Sequence, residues 1–250
     1  MNIARFFWDG RIRWGIVEGD DLHAIRGNLF RDLKPGNRVC AVSEARLLAP
    51  IEPTNKVVGI AVNYGDRAGR NGPGIFMKQS GTIIGHLDPI VYPRVCTRVI
   101  HEAELGIVIG HTARNVSPSG ALDYVFGYTC ANDVSAAEMK TNDVGAGSSM
   151  RVKQFDTFCP LGPFIVTGLN GDNLRVQCRV NGKTEADSST SQMIWNVAEL
   201  VSWVSTVMAL NPGDIISAGC PEIGDINIGD TVEVEVEGIG ILRNPVVADG

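Results

Sequence analysis

No uninterrupted apolar stretch in this sequence approaches the roughly 20 residues needed to span a bilayer. The first residues, Met1 to Trp14, carry Arg5, Asp9, Arg11 and Arg13, which interrupt the apolar segment that an export signal needs. Membrane insertion and secretion are therefore not expected, and the cytoplasm is the expected location. Long basic runs are also missing, and the formal net charge is -6, so the chain lacks the electrostatic footprint of a nucleic-acid binder. Its six cysteines, Cys40, Cys96, Cys130, Cys159, Cys178 and Cys220, form no Cys-x-x-Cys pair and have no histidines at zinc-finger spacing. Most are expected as small buried hydrophobes.

What is present is enough apolar material for a full core. With 250 residues, 44% of them hydrophobic and 20% charged, the chain reads as one large domain or a large one joined to a small one. Ile3 to Ile25 reads as two or three short strands separated by turns at Asp9-Gly10 and Asp20-Asp21. Leu47 to Pro53 contains two prolines that neither a helix nor a central strand tolerates, which places a boundary there: 1–52 as a small amino-terminal domain, 53–250 as the main one.

Beyond Lys56, β-rich runs punctuated by glycine and proline predict strands at Val57 to Val62, Ile90 to Tyr92, Glu104 to Ile109, Phe164 to Thr167, Leu174 to Val180 and Thr231 to Val236. A helix is predicted over Ile194 to Leu210, where apolar residues recur at three- and four-residue steps until Asn211-Pro212-Gly213. Ser119 to Val125 and Ser135 to Thr141 are weaker helical candidates.

The chemistry is concentrated in His101-Glu-Ala-Glu104-Leu-Gly-Ile-Val-Ile-Gly110. The period of a strand puts Glu102 and Glu104 on one face, about 7 Å apart, and His101 on the other. An isolated Glu-x-Glu often lies on a wet sheet edge, as the valine–glutamate alternation from Val232 to Glu237 suggests for Glu233, Glu235 and Glu237. Glu102 and Glu104 differ because a stretch apolar on both faces follows them. Like charges at the margin of a core repel and are poorly solvated; a cation between them, or protonation, relieves this, and the cation is the simpler remedy. Asp133, at the end of the apolar run from Tyr124, supplies a third carboxylate. Three oxygen donors without a cysteine suit a hard, partly hydrated cation, Mg²⁺ or Mn²⁺ before Zn²⁺, one per chain.

These residues resemble the fumarylacetoacetate hydrolase family, in which Glu-x-Glu on one strand and a later aspartate hold a catalytic metal. The resemblance runs from about Lys56 to Val246 through Asn63-Tyr64, Ile75-Phe-Met-Lys78, Glu102 to Gly110, Gly127 to Ala136, Lys153 to Pro163, Asn181-Gly182 and Thr190-Ser-Gln-Met193. It implies a strand-rich α+β fold with a mixed β-roll core, a small amino-terminal β domain and packing as a homodimer. It also implies a 2-oxo acid substrate whose oxo and carboxylate oxygens chelate the metal, which polarises the carbonyl and stabilises an enolate. Lys153 matches the family's active-site lysine, and Tyr64 and Thr190 fall in its substrate-contacting passages.

The sequence departs from the family where hydrolytic relatives carry Asn-Tyr-x-x-His-x-x-Glu. Here the segment is Asn63-Tyr64-Gly-Asp66-Arg67-Ala-Gly-Arg70, and arginine is no ordinary general base. Arg67, Arg70 and Lys140 are candidates to hold a second substrate carboxylate, with solvated surface positions as the alternative. The expected function is a metal-dependent isomerase or decarboxylase of an unsaturated 2-oxo dicarboxylic acid. The alternatives are an acylpyruvate-type carbon–carbon hydrolase with a replacement base, and a non-catalytic metal-binding relative. Cys220 as a nucleophile is disfavoured, since no histidine lies near it in sequence.

Overall fold

The computed structural model describes residues 1–66, 71–139 and 150–250. The chain begins with an antiparallel meander, Asn2–Trp8, Arg11–Glu18, Asp21–Arg26 and Lys34–Ala41. The first turn holds Asp9 and Gly10 at φ 47° and 71°, the left-handed conformation that a tight two-residue hairpin requires. Lys34–Ala41 lies outside the strands expected from the sequence and carries Pro35 near its start. It sits at the end of the sheet, where a proline costs no ladder bond.

The meander continues into the main sheet through Asn2 and Ile3, which pair with Val166 and Ile165. The sheet then runs Cys159–Val166, Val125–Asn132, Val99–Ile109, Ile215–Ser217, Val57–Ala61 and Gly74–Lys78. Ile215–Ser217 and Val57–Ala61 are parallel, whereas Val99–Ile109 is antiparallel to both its main-sheet neighbours. A second sheet of five strands orders Lys183–Ser189, Arg175–Val180, Thr231–Val236, Gly240–Ala248 and Ile90–Tyr92, with the last pair parallel. This is the expected strand-rich α+β architecture, a mixed β core with a small amino-terminal β unit.

The largest core cluster lies where the two sheets face each other, with Leu105, Ile107 and Cys130 from one and Val176, Val232, Val234 and Leu242 from the other. It also takes in Val197, Leu200, Val201 and Val204 of the helix Val197–Val207. Each such side chain contributes about 1.5–3 kcal/mol by leaving water. The helix starts later than expected because Asn196 caps it: the Asn196 side chain accepts from the Glu199 amide and the Glu199 carboxylate accepts from the Asn196 amide, both at 2.9 Å.

Pro118–Tyr124 forms a 3₁₀ helix close to the expected position. Ser135 and Ala136 correct the reading of that stretch as helical, because they pair as a strand with Ile100 and Val99. The unpaired backbone edge there outweighs local propensity, and of the rest of that stretch Lys140 and Thr141 lie outside the described residues. Among the described residues, no helix is long and apolar enough to cross a membrane.

Candidate metal centre

Val99–Ile109 is the strand that places the carboxylates, and all eleven of its residues are buried. Along one edge it pairs with Val125–Asn132. On the other edge Ile215–Ser217 pairs at Gly106 to Val108 and Ile223–Ile226 pairs at Val99 to Glu102. Between those two contacts the Ala218 amide still donates to the Leu105 carbonyl at 2.9 Å, after which residues 219–222 leave the ladder and pass Glu102 and Glu104. The Ser217 hydroxyl donates to Glu104 Oε2 at 2.5 Å and the Gly219 amide at 3.0 Å. Gly219 has φ 90°, and a Cβ there would stand 2.8 Å from Asn63 Cβ, so the segment turns toward Glu104 only with glycine at this point.

Glu102 Oε1 accepts from Ser135 Oγ at 2.6 Å and from Lys153 Nζ at 2.8 Å, while Cys220 Sγ lies 3.6 Å from Oε2. Asp133 follows the neighbouring strand, and its amide donates to the Glu102 carbonyl at 2.9 Å. One Asp133 oxygen faces Lys78 Nζ at 2.7 Å, and the other accepts from Lys153. Lys153, on the short helix Met150–Lys153, also lies 5.0 Å from the centroid of the Phe76 ring. That ring rests directly over Gly59, whose missing Cβ makes room for it. The structure thus brings together the three expected carboxylates and Lys153, and adds Lys78, Ser135, Ser217 and Cys220.

The electrostatics follow from burial. Burial, reinforced by the charges of Asp133 and Glu102, pushes the Glu104 carboxyl up to about 8. For Asp133 burial acts the same way, but Lys78 and Lys153 outweigh it and hold the carboxyl below its ordinary range. Burial opposes the Lys153 charge, and Asp133 and Glu102 outweigh that too, so its ammonium is held above the usual lysine range. The Cys220 thiol is raised well beyond its ordinary value by burial, then by Glu102 and Glu104, which disposes of it as a free nucleophile. With the Glu104 proton displaced, three carboxylates against two ammonium groups leave one net negative charge, which a dication would turn into the positive charge an anionic substrate needs.

One carboxylate oxygen from each of Glu102 and Glu104 and the Cys220 sulfur lie within 4.8 Å of one another. The donor chemistry therefore fits a divalent cation, and a cysteine sulfur stands beside the two glutamates. Nothing in sequence signals this: Cys220 reaches Glu102 only because 219–222 departs from the sheet. Lys78 stands out in the sequence only as the end of Ile75-Phe-Met-Lys78. A lone lysine after Phe76-Met77 does not reveal that its ammonium ends 2% exposed against an aspartate.

The Tyr64 phenol stands near enough to Glu104 and Cys220 for their charges, after burial, to raise it. Thr190 is buried, and its hydroxyl accepts from the Leu174 amide at 2.9 Å. Arg67, Arg70 and Lys140 lie outside the described residues. His101 points away from the glutamates, as strand alternation requires, and packs on Gly224, where a Cβ would come within 2.4 Å of Nε2.

Residues 56–247 match the fumarylacetoacetate (FAA) hydrolase C-terminal family. The chain belongs to the fumarylacetoacetate hydrolase family. Residues 1–50 match a second family, Rv2993c-like, N-terminal. A solved 5-carboxymethyl-2-hydroxymuconate delta-isomerase from Mycobacterium smegmatis is 39% identical with a TM-score of 0.93, covering 100% of both chains. A mitochondrial oxaloacetate tautomerase of Xenopus laevis is 37% identical over 86% of this chain and 72% of its own. Maleylpyruvate hydrolase from Sphingobium sp. SYK-6, solved with manganese (II) and pyruvate, is 30% identical with a TM-score of 0.83 over 100% of both chains. This kinship makes the chain an enzyme of a family whose relatives isomerise, tautomerise and hydrolyse.

Proposed function

We propose that this chain is a divalent-metal-dependent isomerase that interconverts keto and enol forms, or double-bond isomers, of an unsaturated 2-oxo dicarboxylic acid. The observation that carries the reading is the cluster of Glu102, Glu104 and Asp133 with the buried ammonium of Lys153 against two of them. Glu102, Glu104 and Asp133 would hold the cation, Mg²⁺ or Mn²⁺ if oxygen donors alone decide. When bound, it supplies Lewis-acid polarisation of a 2-oxo group.

Lys153 stays charged, so it serves as an electrostatic partner for developing oxyanion charge and not as a base. Lys78 keeps Asp133 ionised. Ser135, Ser217 and the Gly219 amide orient the glutamates, and Phe76 confines the Lys153 ammonium. Arg67, Arg70 and Lys140 are the proposed partners of the second carboxylate. The chain has four histidines, all within the described residues, and none contacts the carboxylate cluster. Hydrolysis asks for a water-activating base, and isomerisation does not. That difference, with the isomerase and tautomerase among the relatives, supports isomerisation.

The test is to follow the enol absorbance of oxaloacetate and of a 2-hydroxy-dienedioate with Mg²⁺ or Mn²⁺, in the native protein and Glu102→Ala. Metal-dependent loss of the enol without cleavage, abolished in the variant, is expected. Water-dependent release of pyruvate would replace isomerase with hydrolase, and CO₂ release would favour decarboxylation.

A further inference from the structure

We propose that Gln79 and Gln154 form an outer clasp that positions the Lys153 ammonium, and that turnover depends on them although they bond to each other and to backbone, not to the carboxylates. This rests on the reading of Lys153 as the partner of developing oxyanion charge.

Every polar group of Gln154 is engaged. Its amide donates to the Met150 carbonyl at 3.1 Å and closes the single turn Met150–Lys153. Its carbonyl accepts from the Gln79 side chain at 3.0 Å, its Oε1 accepts from the Gln79 amide at 2.9 Å, and its Nε2 donates to the Met77 carbonyl. All the bonds that leave the turn therefore end on Met77 and Gln79, the residues on either side of Lys78.

Strand alternation gives this arrangement two sides. Met77 and Gln79 are exposed, and Lys78 between them is buried. On the helical turn, Gln154 is half-buried and Lys153, beside it in the chain, is buried. Outside, the two glutamines join strand to turn. Inside, the ammonium groups of the adjacent lysines meet the two oxygens of Asp133. The outer bonds thus set the spacing of two ammonium groups that each lie one residue away.

The two lysines do not need the clasp equally. Lys78 is held by the pairing of Gly74–Lys78 with Val57–Ala61, where it stands opposite Val57. Lys153 sits on one helical turn, far short of the roughly 12–15 residues at which a helix begins to hold itself, and its stem is flexible. Val152 anchors one side of that turn in the core. The clasp fixes its end, and a misplacement of about 1 Å near reacting groups costs on the order of a hundredfold in rate.

The experiment uses the full chain, with Mn²⁺ and enol oxaloacetate for turnover and metal-free for labelling. Gln154→Met and Gln79→Met keep side-chain length and remove bonds from a half-buried and an exposed side chain, so the fold is retained. In Gln154→Met, kcat should fall about tenfold with KM within about twofold, and Gln79→Met, which keeps its backbone amide, should lose less. Reductive methylation, followed by peptide mass spectrometry against the exposed Lys183, should speed up about tenfold at Lys153 in Gln154→Met and leave Lys78 slow. Equal acceleration at Lys78 and Lys153 would mean general loosening and would overturn the inference. Unchanged labelling of Lys153, or unchanged kcat in an active enzyme, would overturn it as well. A native protein that turns over no 2-oxo acid would remove the proposed function and the dependence of turnover on the clasp, while the labelling would still decide whether the glutamines hold Lys153.

Discussion

Lys153 Nζ stands 2.8 Å from Glu102 Oε1 and bridges onward to Asp133, so an ammonium already supplies part of the positive charge these carboxylates need. Lysine and metal therefore act on the same charges. Lys153→Met removes one partner from a buried ion network, which costs about 3–5 kcal/mol in the metal-free protein. Added Mn²⁺ should then raise the melting temperature of the variant more than that of the native protein, because the carboxylates bind it with less competing charge. A variant as stable as the native protein without metal would refute this.

Glu104 sets the pH dependence. Its carboxyl is raised from an ordinary value of 4.5 to about 8, so its contribution to the metal-free fold is fully present below 4.5 and lost as pH rises through about 8. The metal-free protein should melt lower at about pH 9 than at about pH 6, and bound cation should reduce that loss. Cation must also displace the Glu104 proton, so affinity rises with pH up to about 8 and binding near neutrality releases about one proton. Calorimetry in two buffers of different ionisation enthalpy measures that proton, and its absence would contradict the assignment.

Gly219→Ala tests the segment that passes the glutamates. The new methyl meets Asn63 Cβ at 2.8 Å and the residue must hold φ 90°, so a loss of more than about 1 kcal/mol is expected, together with weaker cation binding as the amide leaves Glu104. Chemical denaturation and calorimetry read the two effects separately. Destabilisation with unchanged affinity would mean that the Gly219 amide does not orient Glu104.

Asn63 ties the Tyr64 segment to that same loop, accepting from the Trp195 amide at 2.8 Å and donating to the carbonyls of Trp195 and Ala218 at 3.1 and 2.8 Å. Asn63→Ala leaves these buried groups unsatisfied at about 1–3 kcal/mol each. Urea denaturation should show a lower midpoint, and substrate turnover should suffer more than cation affinity, since none of the lost bonds touches Glu102 or Asp133.

Much of this was readable from local pattern. Thr231–Val236 alternates valine with a polar residue and Ile90–Tyr92 is short and apolar, and both strands lie where the pattern put them. The glutamate pair was legible because the apolar residues after it fixed both its face and its burial. Lys183–Ser189 was not legible: it is a polar edge strand with no alternation to detect. Gly240–Ala248 was hidden by Arg243, Asn244 and Pro245. Cys220, Ser217 and Lys78 escaped for another reason. Their roles come from approaches between segments more than a hundred residues apart, or from burial of one end of an otherwise ordinary strand.

The departure of 219–222 from the ladder beside Glu102 and Glu104 separates two kinds of change that a lineage can explore. Substitutions on the buried strand disturb the reaction and the fold together, so that strand has little latitude. The departing segment carries no ladder of its own. Exchanges there, outside Gly219, alter what faces the glutamates while the architecture is inherited intact.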